Sequence, residues 1–450
     1  MFCRSINIDR FFRGGFMDLS KYVIKFEKEK DVYLFNTKNN LSVKIEKKLL
    51  EIIKRDENIR LEFQKFLSQN DFYSTPDEFQ NAVAELKEKE SKTLRIIILA
   101  HGDCNFRCKY CYEKFNNRCI SDKTSNILDF IVDCLNKGDF ENLHVSWFGG
   151  EPLLGYKDIH EISKELILFC KDNHIRYFSD ITTNGYLLSP TIFSKLVNQC
   201  KITTYQITVD GTKTGHDNQR VLKNGSGSYD RIIKNIKSTI DTNFDFQIII
   251  RMNISKENYN SILDFLKNDA CIFKKDHRYK LLFRNVGDWG CGERSEDYSV
   301  KRFEKDLSFE FSKIALNNGY YLFDPFIIPT NNLACYAQKK NSYVIDTEGN
   351  LLKCTVMLYD ECNKIGNLQE RKINKIKENL WLNNFESLSG KCYQCPLILI
   401  CKGGFCPKLK VFKSKTHNIC LEMQQMIMNN FELRILSDDF DYTLKGRDDG

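Results

Sequence analysis

The sequence lacks any apolar run long enough to cross a bilayer: no stretch approaches the roughly 18 to 20 consecutive apolar residues that a spanning helix needs. No membrane partner is therefore expected. The opening residues Met1-Phe-Cys-Arg-Ser-Ile show no extended apolar core of a secretory signal. Charge of one sign is also missing, since 67 basic and 60 acidic residues leave a net +7 over 450 residues. Lysine-rich pieces such as Lys44-Ile-Glu-Lys47-Lys48 alternate with acids and read as solvated helix faces, so no nucleic-acid partner is expected. What is plentiful is cysteine, 18 in all. In a secreted chain that number would imply disulfides. In a chain read as leaderless it fits a reducing cytoplasm and metal ligation, and a cytoplasmic location is the expectation. With 42% hydrophobic residues the chain is globular, and its length allows two or three domains.

Three of the thiols stand close together. The apolar run Leu94-Arg-Ile-Ile-Ile-Leu-Ala100 reads as a buried strand, and Cys104-Asn-Phe-Arg-Cys108-Lys-Tyr-Cys111 follows it with the spacing C-x3-C-x2-C. Short spacings after a strand put the thiolates on one loop at the strand's carboxyl end. Three soft ligands on a tight loop suit an iron–sulfur cluster that would ordinarily take four thiolates, leaving one iron open. A zinc knuckle with a fourth ligand from elsewhere, or a set of buried thiols, is the alternative.

Along the chain, short strands are expected at 22–26, 32–35 and 41–45, with Asn36-Thr-Lys-Asn39-Asn40 as turn chemistry between the last two. Helical patterns follow at 46–55, 59–68 and 76–90. Three strands then three helices describe a winged-helix-like module. From Leu94 to about Asn317 the pattern alternates: strands at 94–100, 142–147, 177–183, 203–209, 246–253 and 280–285, helices at 121–137, 156–172, 189–199, 229–241, 257–267 and near 301–317. Six strand–helix repeats imply a parallel sheet with right-handed crossovers, too few for a closed eight-stranded barrel. The chemistry of such a partial barrel lies at the carboxyl ends of its strands. There the sequence sets Trp147-Phe-Gly149-Gly150-Glu151-Pro152, Thr182-Thr183-Asn184-Gly185, Thr208-Val-Asp210-Gly211 and Arg251-Met-Asn253. Each is an ordinary turn on its own, but polar residues such as Arg251 in an apolar run need a partner. His216-Asp-x-x-Arg220 reads either as lining a substrate side or as a surface loop.

A second constellation runs from Cys335 through Gly349-x4-Cys354 and Cys392-x2-Cys395-x5-Cys401-x4-Cys406 to Cys420. Thiolate clusters of this kind suit iron–sulfur or structural zinc equally. Cys3, Cys119, Cys134, Cys170, Cys200, Cys271 and Cys362 have no cluster spacing and read as small buried hydrophobes. Leu421 to about Ile435 is expected as a helix beneath the last thiols, and Ser437–Gly450 as a fraying polar tail.

The C-x3-C-x2-C loop, with aromatic Tyr110 before its last cysteine, resembles the signature of radical S-adenosylmethionine (SAM) enzymes. The resemblance implies an α/β fold: a partial (β/α)6 radical SAM barrel at 93–320, an N-terminal winged-helix-like peptide-recognition domain at 1–92, a C-terminal cysteine-rich SPASM domain at 321–436 and a tail at 437–450. It implies that Cys104, Cys108 and Cys111 hold a radical-generating cluster, and that Tyr110, Gly149, Gly150, Glu151, Thr183, Asn184, Arg251 and Asn253 contact S-adenosylmethionine. Mapped by order onto SPASM domains, Cys335, Cys354 and Cys406 bind an inner auxiliary 4Fe–4S cluster, and Cys392, Cys395, Cys401 and Cys420 an outer one, making three clusters. Two departures stand out: the Cys401–Cys406 spacing is x4 where x3 is usual, and no cysteine lies shortly before Cys335, the nearest upstream being Cys291. The inner cluster is thus expected either to recruit Cys291 or to keep an open iron for a substrate thiolate. No general base can be named.

The activity implied is hydrogen abstraction from a ribosomally made precursor peptide by a 5′-deoxyadenosyl radical, installing a cross-link. A Cys thioether ranks first, carbon–carbon cross-linking second, formylglycine generation as in anaerobic sulfatase maturation third, and a non-enzymatic iron–sulfur carrier last. Implied partners are a precursor peptide with its leader, added as a strand to the N-terminal sheet, and a flavodoxin- or ferredoxin-type electron donor.

Overall fold

A computed structural model describes residues 18–287, 306–323, 335–382, 388, 390–404, 406–407 and 419–445. Cys3 and Cys291 lie outside them. The chain divides into two compact units, each described by itself: Met1–Glu90 with Pro325–Cys335 and Asn383–Gly450, and Ser91–Asp324 with Tyr336–Leu382. The division follows contacts rather than chain order, so residues 336–382 share a unit with the strands that begin at 93.

The first unit starts with an antiparallel meander, β1 (Val23–Lys28), β2 (Asp31–Asn36) and β3 (Ser42–Glu46). Helices α1 (Lys47–Arg55), α2 (Glu57–Gln69) and α3 (Glu78–Ser91) follow, in the order the sequence predicts. Asp56 separates the first two helices by capping α2: its Oδ1 accepts from the amides of Asn58 (2.9 Å) and Ile59 (3.1 Å). The meander alternates as a sheet covered on both sides must. Val32, Leu34, Val43 and Ile45 pack against Leu50, Ile53, Phe63 and Leu67 of α1 and α2. Tyr33 and Phe35 point the other way, into a cluster with Ile427 and Phe431.

In the second unit six parallel strands run in sequence order, β4 (Thr93–His101), β5 (Asn142–Gly149), β6 (Arg176–Thr183), β7 (Ile202–Thr208), β8 (Gln247–Ile254) and β9 (Tyr279–Asn285). Between them lie α4 (Thr124–Lys137), α5 (Tyr156–Asp172), α6 (Pro190–Cys200), α7 (Lys213–Gln219), α8 (Tyr229–Lys237) and α9 (Tyr259–Lys267), with α10 (Leu307–Asn317) after β9. The alternate residues Leu94, Ile96 and Ile98 of β4 are buried, as are Leu143, Val145 and Trp147 of β5 and Ile248, Ile250 and Met252 of β8. Helices covering a parallel sheet explain why these strands read as apolar runs.

Short strands the sequence reading did not find extend this sheet: β10 (Ser342–Ile345), β11 (Asn350–Leu352), β12 (Lys364–Asn367) and β13 (Lys372–Ile373), followed by α11 (Lys375–Trp381). β10 pairs parallel with β4, giving ten strands in the order β13-β12-β11-β10-β4-β5-β6-β7-β8-β9. Gly349 makes the β10–β11 turn at φ +80°, a conformation a side chain resists.

The rest of the first unit is a cysteine-bearing stretch, helix α12 (Ile419–Ser437) and strand β14 (Tyr442–Leu444). Within the tail expected to fray, residues 442–444 thus form a strand, pairing parallel with β3 as fourth member of the first sheet. Its Tyr-Thr-Leu suits a strand, and Asp441 fastens it, accepting from the Ser42 amide and hydroxyl at 2.7 Å each. Phe431 of α12 is fully buried, its ring 4.5 Å from that of Phe35 and 5.6 Å from that of Phe26. Phe431→Ala should cost about 3–5 kcal/mol, read as a lower denaturation midpoint of the transition reporting on this unit.

Candidate functional site

The strand ends of the second unit converge on the loop that carries Cys104, Cys108 and Cys111. Its entry is bolted to the end of β5: the Gly150 amide donates to His101 O and the Glu151 amide to Asp103 O, both at 3.0 Å. This contact is why two glycines stand there. Gly149 sits at φ +124°, and a Cβ on it would lie 2.6 Å from His101 O. A Cβ on Gly150 would collide with Asp103 O. The sequence reading assigned the pair to close approach by a ligand; the approach visible here is that of the cysteine loop's own backbone.

Glu151 is fully buried. Its Oε1 accepts from Thr183 Oγ1 (2.6 Å) and the Leu153 amide (3.0 Å), and its Oε2 from the Asn184 amide (2.8 Å). Burial raises its pKa, and these bonds hold the rise down. Asn184 then reaches across, its Nδ2 2.8 Å from Asn105 Oδ1 and 3.6 Å from Cys104 Sγ. The Phe106 amide also points at that sulfur, at 3.4 Å. Beside it, burial would raise the Asp103 carboxyl, but bonds from Lys223, the Cys104 amide and Arg107 keep it below its usual range.

The loop's other end hangs on Tyr110. Its hydroxyl donates to Asp210 Oδ2 and accepts from Arg220 Nη1 (2.7 Å) and Asn253 Nδ2 (3.0 Å). Asp210 Oδ1 accepts from the Asn253 amide at 2.8 Å. His216 backs the assembly: Nδ1 accepts from the Asp210 amide (3.2 Å), which leaves Nε2 to face Ser228 Oγ at 3.0 Å. Burial, then the charge of Arg220, pushes His216 well below its usual pKa, so the ring is neutral. His216 and Arg220 are therefore buried and not a surface loop. Arg251 donates Nε to Asn253 Oδ1 at 2.8 Å and makes no ion pair among the described residues.

Thus the structure brings Tyr110, Gly149, Gly150, Glu151, Thr183, Asn184, Arg251 and Asn253 together around the three cysteines. Asp210, Arg220 and Glu113 also belong there. Burial, then the Glu151 charge, pushes Glu113 up to about 7. Asp210 and Arg220 were visible as polar residues beyond a strand end, but their shared partner Tyr110 lies 100 and 110 positions away.

The donor set fits a cluster. Cys104 is buried, and burial raises all three thiols, Cys111 to about 12. Thiols so placed become ligands only against a compensating cation. Asn105 Nδ2 and Arg220 Nε are buried without a hydrogen-bond partner, donors suited to an anionic cofactor. Among the described residues no three ligand-type side chains stand close enough to hold a metal ion as they are.

The later cysteines show the same local solution. Cys354, in the second unit, has the amide of Val356 3.4 Å from its sulfur. Asn363 pins its loop: Oδ1 accepts from the Lys353 (3.0 Å) and Cys354 (2.8 Å) amides, and Nδ2 donates to Cys354 O (2.8 Å) and Met357 O (2.9 Å). Cys335, Cys392, Cys395, Cys401, Cys406 and Cys420 belong to the first unit. There burial raises Cys395 and Cys401, and each also feels the Cys420 thiol; Cys395 feels Cys392, and Cys401 feels Cys395. The Gly404 amide donates to Cys401 O at 3.0 Å.

Residues 98–268, from mid-β4 through α9, match the family profile described as the Radical SAM superfamily. The chain carries a radical SAM domain. A cysteine-type anaerobic sulfatase-maturating enzyme of Clostridium novyi (strain NT) is 27% identical over 340 residues, which cover 70% of this chain and 88% of that protein. The structure of native anSMEcpe with bound AdoMet and Cp18Cys peptide matches with a TM-score of 0.57 at 19% identity, over 77% of this chain and 99% of that one. Streptococcus suis SuiB bound to precursor peptide SuiA matches with a TM-score of 0.51 at 18% identity, over 89% and 97%. At these identities the structural matches establish the α/β radical SAM fold. No helix among the described residues is long and apolar enough to cross a membrane.

Two substitutions test the geometry of this radical SAM site. Gly150→Ala should push the Asp103 backbone away and lower the iron bound per chain after anaerobic reconstitution, at a stability cost of about 1–3 kcal/mol. Tyr110→Phe leaves Arg220, Asn253 and Asp210 without their common partner and should cost a similar ~1–3 kcal/mol by denaturant titration.

Proposed function

We propose that this chain matures a ribosomally made peptide, abstracting a hydrogen atom from it and closing a thioether between a peptide cysteine and a carbon, with the thiol proton going to solvent and the second electron to an auxiliary iron–sulfur cluster. The observation that carries the reading is the pairing of one C-x3-C-x2-C loop at the barrel mouth with a separate neighbourhood of four thiols, Cys392, Cys395, Cys401 and Cys420, in a unit that also holds an N-terminal sheet. When bound, a 4Fe–4S cluster and S-adenosylmethionine supply a 5′-deoxyadenosyl radical. Cys104, Cys108 and Cys111 would hold that cluster, with Asn184 and the Phe106 amide donating to Cys104. Gly149, Gly150 and Glu151 shape the wall facing the methionyl amine. Arg251, its Nε held by Asn253, would offer the rest of its guanidinium to a carboxylate. Cys335, Cys354 and Cys406 would take an inner auxiliary cluster, and the four-thiol neighbourhood an outer one. An inner cluster with three protein thiolates would keep one iron for the thiolate of the peptide. A flavodoxin- or ferredoxin-type protein would supply the electron.

The second reading is formylglycine formation, favoured by the likeness to the Clostridium novyi sulfatase-maturating enzyme across most of that protein's length. Mass spectrometry of a cysteine-containing peptide co-expressed with the enzyme separates them. A thioether removes two hydrogens and retains sulfur; formylglycine exchanges the cysteine sulfur for oxygen and also removes two hydrogens; a carbon–carbon link removes two hydrogens and leaves the thiol open to alkylation. Retained sulfur with loss of alkylation is expected. The triple Cys104, Cys108 and Cys111→Ala variant should make no 5′-deoxyadenosine, whereas Cys335→Ala should still cleave S-adenosylmethionine. Loss of cleavage in Cys335→Ala with its first cluster intact would overturn the division of roles.

A further inference from the structure

Histidines aside, every charged residue of the six parallel strands lies on one face of the sheet. Tyr205 and Phe283 turn the other way, onto Phe193 of α6 and Phe311 of α10, with ring centroids 5.0 and 5.6 Å apart. Strand register then puts Arg95, Arg176, Asp180, Arg251, Lys280 and Arg284 together on the inner face, away from the helices. Asp180 is the only acid in β4–β9. Arg176 is met by Glu141 at 3.7 Å, just outside the strands, and Arg251 stands at the cofactor end. Arg95, Lys280 and Arg284 thus share a face with a single carboxylate.

That carboxylate is already taken. Its Oδ2 accepts from Ser146 Oγ (2.7 Å) and faces His144 Nε2 at 2.6 Å, with Arg95 Nη2 3.9 Å away. Burial would raise the Asp180 carboxyl, but His144, Arg95 and Ser146 keep it below its usual range, so it stays ionised. Arg95 Nη2 turns to Ser146 Oγ at 3.3 Å, and its Nε has no hydrogen-bond partner. A closed barrel fills its interior with branched apolar side chains. Here the floor is open instead. Phe178, opposite His144 in register, is 48% exposed, and the side chains of Arg95, His144 and Asp180 are 32%, 28% and 26% exposed. An aromatic wall with a few converging polar groups is the make-up of a binding site.

His144 lies five positions before Gly149, which places this floor about 16 Å below the cysteine loop at the rise of a strand. An extended peptide covers that distance in about five residues. We propose that the floor selects the precursor peptide by an acidic residue. A peptide carboxylate about five residues from the modified position pairs with Arg95, Lys280 adds positive charge from β9, and Phe178 packs on the peptide chain. Charge complementarity of this kind sets which partner enters more than how tightly it binds. The inference rests on the peptide-maturase reading above and adds what the barrel requires of the peptide besides its cysteine.

Photo-cross-linking tests it on the full chain carrying Phe178→p-benzoylphenylalanine. The probes are three synthetic peptides, X-Gly-Ser-Gly-Ser-Cys-Gly-Ser-Gly-Ser-X with X as Asp, Asn or Lys, and the cross-linked peptide is quantified by mass spectrometry. The Asp peptide should cross-link at least about tenfold more than the Lys peptide, with Asn between them. Arg95→Glu should reverse the order of Asp and Lys. Equal yields, an order that Arg95→Glu leaves unchanged, or cross-links to the chain's own segments alone overturn the proposal. Should Arg95→Glu lose the thermal transition of the parent, Lys280→Glu takes its place. The preference for Asp should then fall about tenfold, and an unchanged preference overturns the proposal. Cleavage of S-adenosylmethionine without peptide should be the same in these variants as in the parent; its loss would put the substituted residue in the cofactor site and overturn the proposal. The cross-link needs no turnover, so a different bond type leaves it standing, and its failure leaves the co-expression result standing.

Discussion

The second unit depends on one buried carboxylate. Glu151 lies out of water and accepts from a hydroxyl and two amides, with Thr183 and Asn184 supplied by the end of β6. A buried acid is costly unless its lone pairs are met, and here the groups that meet them are the ones that must be positioned. Thr183 fixes the strand end. The Asn184 amide fixes the residue whose side chain then turns to Cys104. The Glu151 amide itself holds Asp103, one residue before that cysteine. One residue, through its side chain and its amide, therefore ties the ends of β5 and β6 to the entry of the cysteine loop.

The exit of the loop is held by a second buried network of opposite character. At the entry, neutral donors converge on an acid. At Tyr110, a neutral hydroxyl mediates between Asp210 and the Arg220 guanidinium, so two buried charges are compensated through a shared group. His216 carries no proton that would unbalance the pair, because its Nδ1 is committed to the Asp210 amide. The two networks meet the loop on either side of Cys108, where Arg220 opposes the effect of burial on the thiol. A loop with no regular secondary structure of its own is thus fixed at both ends by side chains from β5 through β8.

The barrel was legible because its strands are buried on both faces, and long apolar runs between helical patterns leave little choice. The loop was legible because thiol spacing is local. What stayed hidden is what depends on distance or brevity. β10 to β13 are two to four residues long and have no periodicity to read, although Tyr343-Val344-Ile345 ahead of a Glu348-Gly349 turn was a faint signal. The roles of Asp210 and Arg220 needed Tyr110 brought to them by topology. The Gly149-Gly150 pair was recognised, but its steric reason lies in the backbone at 101–103, which only the fold sets beside it. β14 was missed because its acids read as a polar tail, while in space they answer Ser42 and Lys44.

The cysteine loops share a feature that bears on the chemistry proposed for them. Cys104 and Cys354 each have the amide two residues on at 3.4 Å from sulfur. Backbone donors aimed at sulfur stabilise thiolate over thiol, and hydrogen bonds to cluster sulfurs are one of the levers a protein has on reduction potential. In the proposed assignment these two cysteines belong to different clusters. A structural zinc site also gains from amide donors, but it has no potential to set. At Cys104 the backbone amide is joined by Asn184, whose orientation traces back to Glu151. The side chain that fixes the geometry of the barrel mouth therefore also helps to set how readily an electron is accepted there.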